Sequence, residues 1–217
     1  MSEDSPPPPP PSELLFGDQS LDEVTAGPRT AASPLFERAR DCLERGDKRE
    51  AIKVLAEVAQ TRDIESRDRL QAWKFLREAG VRPPSKIERE VLGVVVEVGM
   101  DSGHDLLAVY ADKTARYYNY SGAGVVWERP DSTQDSAMDA VLNAARTIVQ
   151  DIGPWNGPRR PPPPVGNVRL NMLTPSGLYF GEGPFDDLER DRRARPLIQA
   201  SLNLMRRLTS LVVGDGQ

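Results

Sequence analysis

Four short apolar and aromatic runs between Val91 and Arg129 constrain the fold of this chain more than any other feature. In the first run the even positions from Leu92 to Met100 are all apolar, whereas Glu97 and two glycines occupy odd positions. A period of two with β-branched residues is typical of a strand that buries one face. The runs are separated by short segments rich in Gly, Asp and Ser, which favour tight turns. We therefore predict an antiparallel meander of four strands.

The rest of the C-terminal half predicts elements that cover and extend this meander. A helical pattern opens near Ser132 and closes at Gly153-Pro154. Two strands follow, over 168–174 and 178–181, and a last helix begins near Pro196. Apolar stripes on both helices would lie across the sheet. Residues 85–217 are thus expected to form an α+β domain of order ββββαββα with antiparallel pairing.

Residues 34–84 have the pattern of three helices rather than strands. Ser33 and Pro34 suit a helix start, and Asp47 with Glu50 forms a capping-box sequence for a second helix. A third helix over about 66–79 ends at Gly80, ahead of two prolines. The sequence leaves open whether this module docks on the sheet.

One helical hairpin in this module resembles a known repeat family. The stretch 46–52, with Leu55 and Val58, resembles the second helix of a tetratricopeptide repeat, and Ala39 falls where that family keeps a small residue. The resemblance covers about 34–63 and departs from the family at Asp63, where the family has a helix-ending proline. It implies a hairpin that could bind a peptide. The alternative is three helices packed on one another or on the sheet. The remainder of the chain resembles bacterial proteins of unassigned function, which implies no mechanism.

Residues 1–33 are predicted to be a disordered, proline-rich tail. Six consecutive prolines, Pro6 to Pro11, favour polyproline II and exclude helix or paired strand there. Apolar residues set among acidic ones in such a tail are typical of a docking peptide, and an inert linker is the alternative. The candidate partner-binding residues are Leu14, Leu15, Phe16 and Leu21.

A second candidate surface lies around the irregular segment 153–166 and the hairpin that follows it. Tryptophan and arginine are enriched at binding hot spots, and long irregular loops are often functional. The alternative is that the tryptophan plugs a sheet edge while the arginines are solvated. The candidate partner-binding or ligand-binding residues are Trp155, Arg159, Arg160, Arg169 and Asn171.

Several function classes receive no support from the sequence. The formal net charge of −5 gives no electrostatic reason to expect nucleic-acid binding. We see neither an apolar run of membrane-spanning length nor a secretory leader. The single cysteine, Cys42, suits a reducing cytoplasm. One histidine, His104, makes a poor transition-metal site, and no phosphate-binding or nucleophile motif appears. We therefore predict no catalytic residue, metal or cofactor.

These features favour a cytoplasmic, non-catalytic adaptor that binds a protein partner through the tail and the loop-hairpin surface. The alternative is a small-molecule sensor or enzyme whose ligand lies between the sheet and the 153–166 loop. A homodimer is a further hypothesis, because an edge strand near Val125 to Arg129 could pair between subunits.

Overall fold

A computed structural model describes the backbone of residues 11–214 and the side chains of residues 14–211. The helices are α1 (Pro11–Phe16), α2 (Leu21–Ala26), α3 (Ser33–Glu44), α4 (Lys48–Gln60), α5 (Ser66–Glu78), α6 (Asp135–Asp151), α7 (Phe185–Arg190) and α8 (Ala194–Gly214). The strands are β1 (Gly93–Met100), β2 (Gly103–Tyr110), β3 (Ala115–Tyr118), β4 (Gly124–Trp127), β5 (Asn167–Thr174) and β6 (Gly177–Pro184).

The six strands form one antiparallel sheet in the order β4-β3-β2-β1-β5-β6. The predicted meander is therefore confirmed, and the later hairpin joins it beside β1. The predicted α+β class and the order ββββαββα are also confirmed. Helix α7 is an additional short helix that the sequence did not predict.

One face of the sheet is covered by α6 and α8, as predicted. Their apolar stripes pack on alternate residues of the central strands, including Val94, Val96 and Leu107. This core excludes water through burial of branched aliphatic side chains on both sides of the interface. The side chains of Val94, Val96 and Val98 in β1 therefore point to α6 and α8.

The opposite face carries a second core, which joins the sheet to the helical module. Val95, Ala108 and Tyr110 of the sheet belong to the same buried cluster as Phe36 of α3 and Trp73 of α5. Strand β1 is therefore covered on both faces, and not on one as its sequence predicted. The module docks on the sheet, which settles a question that the sequence left open.

The prediction of a disordered tail over 1–33 is wrong for residues 11–33. Residues 1–10, with most of the proline run, lie outside the described part of the chain. Helix α1 packs against α5 and helix α2 against α3, and the side chains of Leu15 and Phe16 are 1% and 7% exposed. Such short helices are unstable alone. Burial of these two side chains in the second core supplies the tertiary contacts that stabilise them.

Tyr110 of β2 anchors this tail to the sheet. Its side chain is fully buried, and its hydroxyl donates a hydrogen bond of 2.7 Å to the carbonyl oxygen of Leu15. Burial raises the pKa of Tyr110, so the hydroxyl keeps its proton and remains a donor. The bond satisfies one of the free carbonyl groups at the C-terminal end of α1.

Removal of this hydroxyl is expected to destabilise the protein. Tyr110→Phe keeps the ring and leaves the Leu15 carbonyl buried without a partner, which costs about 2 kcal/mol of the free energy of unfolding. Urea denaturation measures this loss, and hydrogen exchange should show faster exchange in α1. Tyr120→Phe is the matched control because Tyr120 is 54% exposed. Equal stability of the two variants would contradict the prediction.

Candidate functional site

The segment 153–166 leaves the end of α6 and runs back over the sheet. Its start is fixed on β6, where the Trp155 amide donates to the Leu178 carbonyl at 2.6 Å and the Trp155 ring packs edge-on against Phe180 at 5.4 Å. Its end is fixed on β1, where the Gly166 amide donates to the Gly99 carbonyl at 3.0 Å. The segment is therefore a strap held at both ends.

This strap contacts the tail through Arg159. The Arg159 Nε donates to the Asp18 carboxylate at 2.8 Å, and its guanidinium lies 4.5 Å from the centroid of the Phe16 ring. An ion pair and a cation–π contact thus join two segments that are far apart in sequence. The two surfaces that the sequence predicted as separate meet at this arginine.

A cleft of about 310 Å³ opens where the tail, α5, the strap and the β5–β6 hairpin come together. Phe16 and Asp18 form one wall, Lys74 and Arg77 of α5 another, and the strap and hairpin complete it. The volume lies at the lower end of the range for small-molecule pockets. The cleft is the place where segments from four parts of the chain converge.

Positive charge dominates the lining of the cleft. It contains the cations of Lys74, Arg77 and Arg159, and the single carboxylate of Asp18. Lys74 also pairs with Glu78 at 2.9 Å. Arg77 donates from Nη1 to the Pro175 carbonyl at 2.8 Å, and among the described residues it forms no ion pair. Burial lowers the pKa of Arg77, since a desolvated cation is disfavoured.

The hydroxyl groups of the hairpin are used within the protein. Ser176 Oγ donates to the Glu88 carbonyl at 2.6 Å, and Thr174 Oγ1 donates to the Gly177 carbonyl at 3.0 Å. These bonds fix the shape of the turn that forms one cleft wall. The open polar groups of the cleft therefore belong mainly to the basic side chains.

Two of the predicted site residues, Arg169 and Asn171, are not at a surface. They are 3% and 0% exposed, and both contact the fully buried carboxylate of Glu97. Arg169 also pairs with Glu182 at 2.8 Å, and it donates to the Arg160 carbonyl of the strap. The prediction that these two residues bind a partner or ligand is wrong, because the strap covers the sheet face on which they lie.

The other predicted site residues divide into a buried and an accessible group. Leu15 and Phe16 are buried in the second core, so they are not free to dock elsewhere, whereas Leu14 and Leu21 are half-buried. Trp155 is 43% exposed at the cleft rim, and the Arg160 side chain is 52% exposed. Arg159 lines the cleft itself.

Sequence reasoning missed three charged residues of the cleft, namely Asp18, Lys74 and Arg77. On α5 the two basic residues flank the buried positions Phe75 and Leu76, and their spacing matches a solvated helix face. No local signal distinguishes such a face from one that a distant strap covers. Only the docking of the module on the sheet brings them to the loop.

A second polar cavity of about 320 Å³ lies near the start of α5, lined by Asp68, Glu65, Arg67 and Arg116 among others. Burial raises the pKa of Asp68 to about 6, with smaller contributions from the carboxylates of Glu65 and Asp112. The Asp68 Oδ2 has no hydrogen-bond partner among the described residues. The folded protein therefore holds this proton more tightly than the unfolded chain.

This proton gives an expected pH dependence of stability. Because the folded-state pKa of Asp68 is raised, the free energy of unfolding should fall as pH rises from about 4 to about 6, by about 2 kcal/mol. Asp68→Asn, which stays neutral, should lack this component and be the more stable protein at pH 7. Urea denaturation at pH 4, pH 6 and pH 7 measures both effects. Asp41→Asn, at an exposed position, is the control, and an identical pH dependence in all three proteins would contradict the assignment.

No family model matches this chain, and no curated protein matches it. Within residues 11–214, no helix combines the length and apolar character needed to span a membrane. In that same part of the chain, no three side chains of His, Cys, Asp or Glu are grouped so that they could hold a metal ion. The geometry of the cleft is therefore the basis for a functional hypothesis.

Proposed function

We propose that this protein is a non-catalytic binding protein that holds a small molecule in the cleft between the strap, the β5–β6 hairpin and α5. The observation that carries the proposal is the convergence of the strap, fixed at Trp155 and Gly166, with basic residues of α5 around a pocket of ligand size. Concave sites formed between separate parts of a fold are where small ligands most often bind.

The organisation of the cleft favours a ligand whose binding raises the stability of the folded protein. Its walls come from elements that contact each other through a few polar bonds, among them Arg159 to Asp18 and Arg77 to Pro175. A ligand that bridges these walls would stabilise the folded protein by mass action. This behaviour is that of a small-molecule sensor, which together with an enzyme was the alternative to the adaptor that the sequence favoured.

A thermal-shift screen with a metabolite panel tests the proposal. A ligand should raise the melting temperature in a concentration-dependent manner. Asn156→Trp, at an exposed position that lines the cleft, should place an indole across the mouth and abolish the shift. Asn203→Trp, at an exposed position on α8, is the matched control. A ligand whose shift survives Asn156→Trp unchanged would show that it binds elsewhere, and the proposal would fall.

A protein partner is the second candidate, and the exposed rim of the cleft favours it. The half-exposed Trp155 and Arg160 lie together near Phe180, which is a combination found at interface hot spots. On the helical module, an open groove lined by Leu21, Leu43, Ile52 and others includes part of the hairpin that resembles a tetratricopeptide repeat. An adaptor would use one of these two surfaces.

Two variants separate these surfaces. Trp155→Ala should weaken capture of a partner that binds the rim, and Leu43→Glu should weaken capture of one that binds the groove, because Leu43 is 43% exposed. Each variant is the control for the other. A partner retained equally by both variants would argue against the adaptor function.

A further inference from the structure

The charges of the cleft point to the chemical class of its occupant. We infer that the ligand carries a carboxylate or phosphate group, which Arg77, Lys74 and Arg159 would bind, and that Asp18 occupies part of this anion site in the free protein. This inference rests on the proposed function and adds the ligand chemistry to it.

The balance of charge around the cleft is the first argument. Three cations line it against the one carboxylate of Asp18, which pairs with Arg159. Lys74 also pairs at 2.9 Å with Glu78, which lies outside the lining, so Arg77 is the cation of the lining without a carboxylate partner among the described residues. Positive charge converging in a concave site concentrates anions and strengthens their hydrogen bonds. A neutral or cationic ligand would leave this excess positive charge unbalanced.

Arg77 provides the second argument. It is half-buried, and the ion pairs of the described residues include none for it. Among the described residues, only its Nη1 has a hydrogen-bond partner, the Pro175 carbonyl. The other two guanidinium nitrogens remain in contact with solvent. A partly desolvated cation without a counter-ion is unfavourable. An incoming oxyanion could accept hydrogen bonds from the free N–H groups of Arg77. The planar guanidinium is suited to donate two parallel hydrogen bonds to one carboxylate or phosphate group.

The Arg159 to Asp18 pair provides the third argument. The Asp18 carboxylate already forms an ion pair with Arg159 of the cleft, with 2.8 Å between Oδ2 and Nε. A ligand carboxylate or phosphate would compete with it for Arg159. The tail residue therefore acts as an internal competitor, and its neutralisation should improve the affinity of the cleft for anions rather than impair it.

Titration calorimetry with two named probes, inorganic phosphate and succinate, tests the inference against sodium chloride at matched ionic strength. The wild-type protein should bind one of the two probes with measurable heat. Arg77→Gln should weaken that binding about tenfold, which is the effect of one charge-assisted hydrogen bond. Lys74→Gln should also weaken it. Arg82→Gln, at an exposed position just beyond α5, should leave it unchanged.

Asp18→Asn is the decisive variant, because a substitution that only disturbs the structure of the cleft would not raise its affinity for an anion. Its affinity for the bound probe should rise severalfold, since Arg159 is freed and a repelling charge is lost. Circular dichroism of each variant shows that it is folded. Equal weakening by Arg77→Gln and Arg82→Gln, or weaker binding by Asp18→Asn, would overturn the anion site.

The outcomes also separate this inference from the function on which it rests. If neither probe binds, but an uncharged compound shifts the melting temperature and loses that effect in Asn156→Trp, the anion class is wrong and the binding function stands. If every bound compound is insensitive to Asn156→Trp, both are wrong. If phosphate binds and succinate does not, the site is selective for phosphate groups, and the opposite result identifies carboxylates.

Discussion

Arg169→Ala is expected to lower the free energy of unfolding by about 4 kcal/mol, the largest effect of any single substitution considered for this chain. Glu97 is completely buried on the sheet, and Arg169 supplies its counter-charge at 3.3 Å while also binding Glu182 at 2.8 Å. Loss of the guanidinium leaves the buried carboxyl group of Glu97 without its counter-charge. Urea denaturation followed by circular dichroism measures the loss.

A double variant distinguishes loss of charge balance from loss of packing. Arg169→Met combined with Glu97→Leu removes both charges and keeps apolar volume, so a large part of the lost stability should return. Asn171 loses one of its two acceptors in this variant, so recovery is expected to be incomplete. If the double variant is less stable than Arg169→Ala, the buried ion pair is not the reason for the effect.

Gly99→Ala is expected to cost about 3 kcal/mol and to detach the strap from the sheet. A Cβ atom at this position would overlap the Pro164 carbonyl and lie 2.6 Å from the Pro163 carbonyl oxygen. Those atoms are backbone in a proline-rich segment, which cannot adjust as a flexible side chain could. Because the same segment carries Arg159, the cleft should open as well.

Gly181→Ala is the matched control for this substitution. Gly181 lies in β6, two strands away, and a Cβ atom there would meet no atom within 4 Å. Its stability should change by no more than about 0.5 kcal/mol. Limited proteolysis across 153–166, together with urea denaturation, separates the two proteins. Strap cleavage at equal rates in both would contradict the role assigned to Gly99.

The strands were predictable because their signal is local. In β1 and β5 apolar residues alternate with others at a period of two, and β-branched or aromatic side chains favour extended backbone. Helices α3 to α5 were predictable for the same reason, from a period near 3.6 and from capping residues such as Asp47, whose side chain accepts from the Glu50 amide at 3.0 Å. Both kinds of signal extend over a few residues of chain.

The candidate site was predictable only in part. Trp155 and Arg159 were identified from residue type and loop length, and both are at the cleft. Arg169 and Asn171 were predicted at a surface because they follow the irregular loop closely in sequence and are polar, although they lie in a strand whose residues alternate between apolar and polar. That pattern normally marks a solvated face. Here the strap covers that face, and the polar side chains bind Glu97 instead.

The sequence alone determined which segments become strands and helices, since side-chain periodicity and capping act over neighbouring residues. The tertiary structure decided what covers each face. It placed the helical module and the tail on the second face of the sheet, where Leu15 is 1% exposed. It also brought Asp18 to Arg159, which is 141 residues away in the chain. Such contacts depend on burial and charge pairing between distant segments, and no local pattern encodes them.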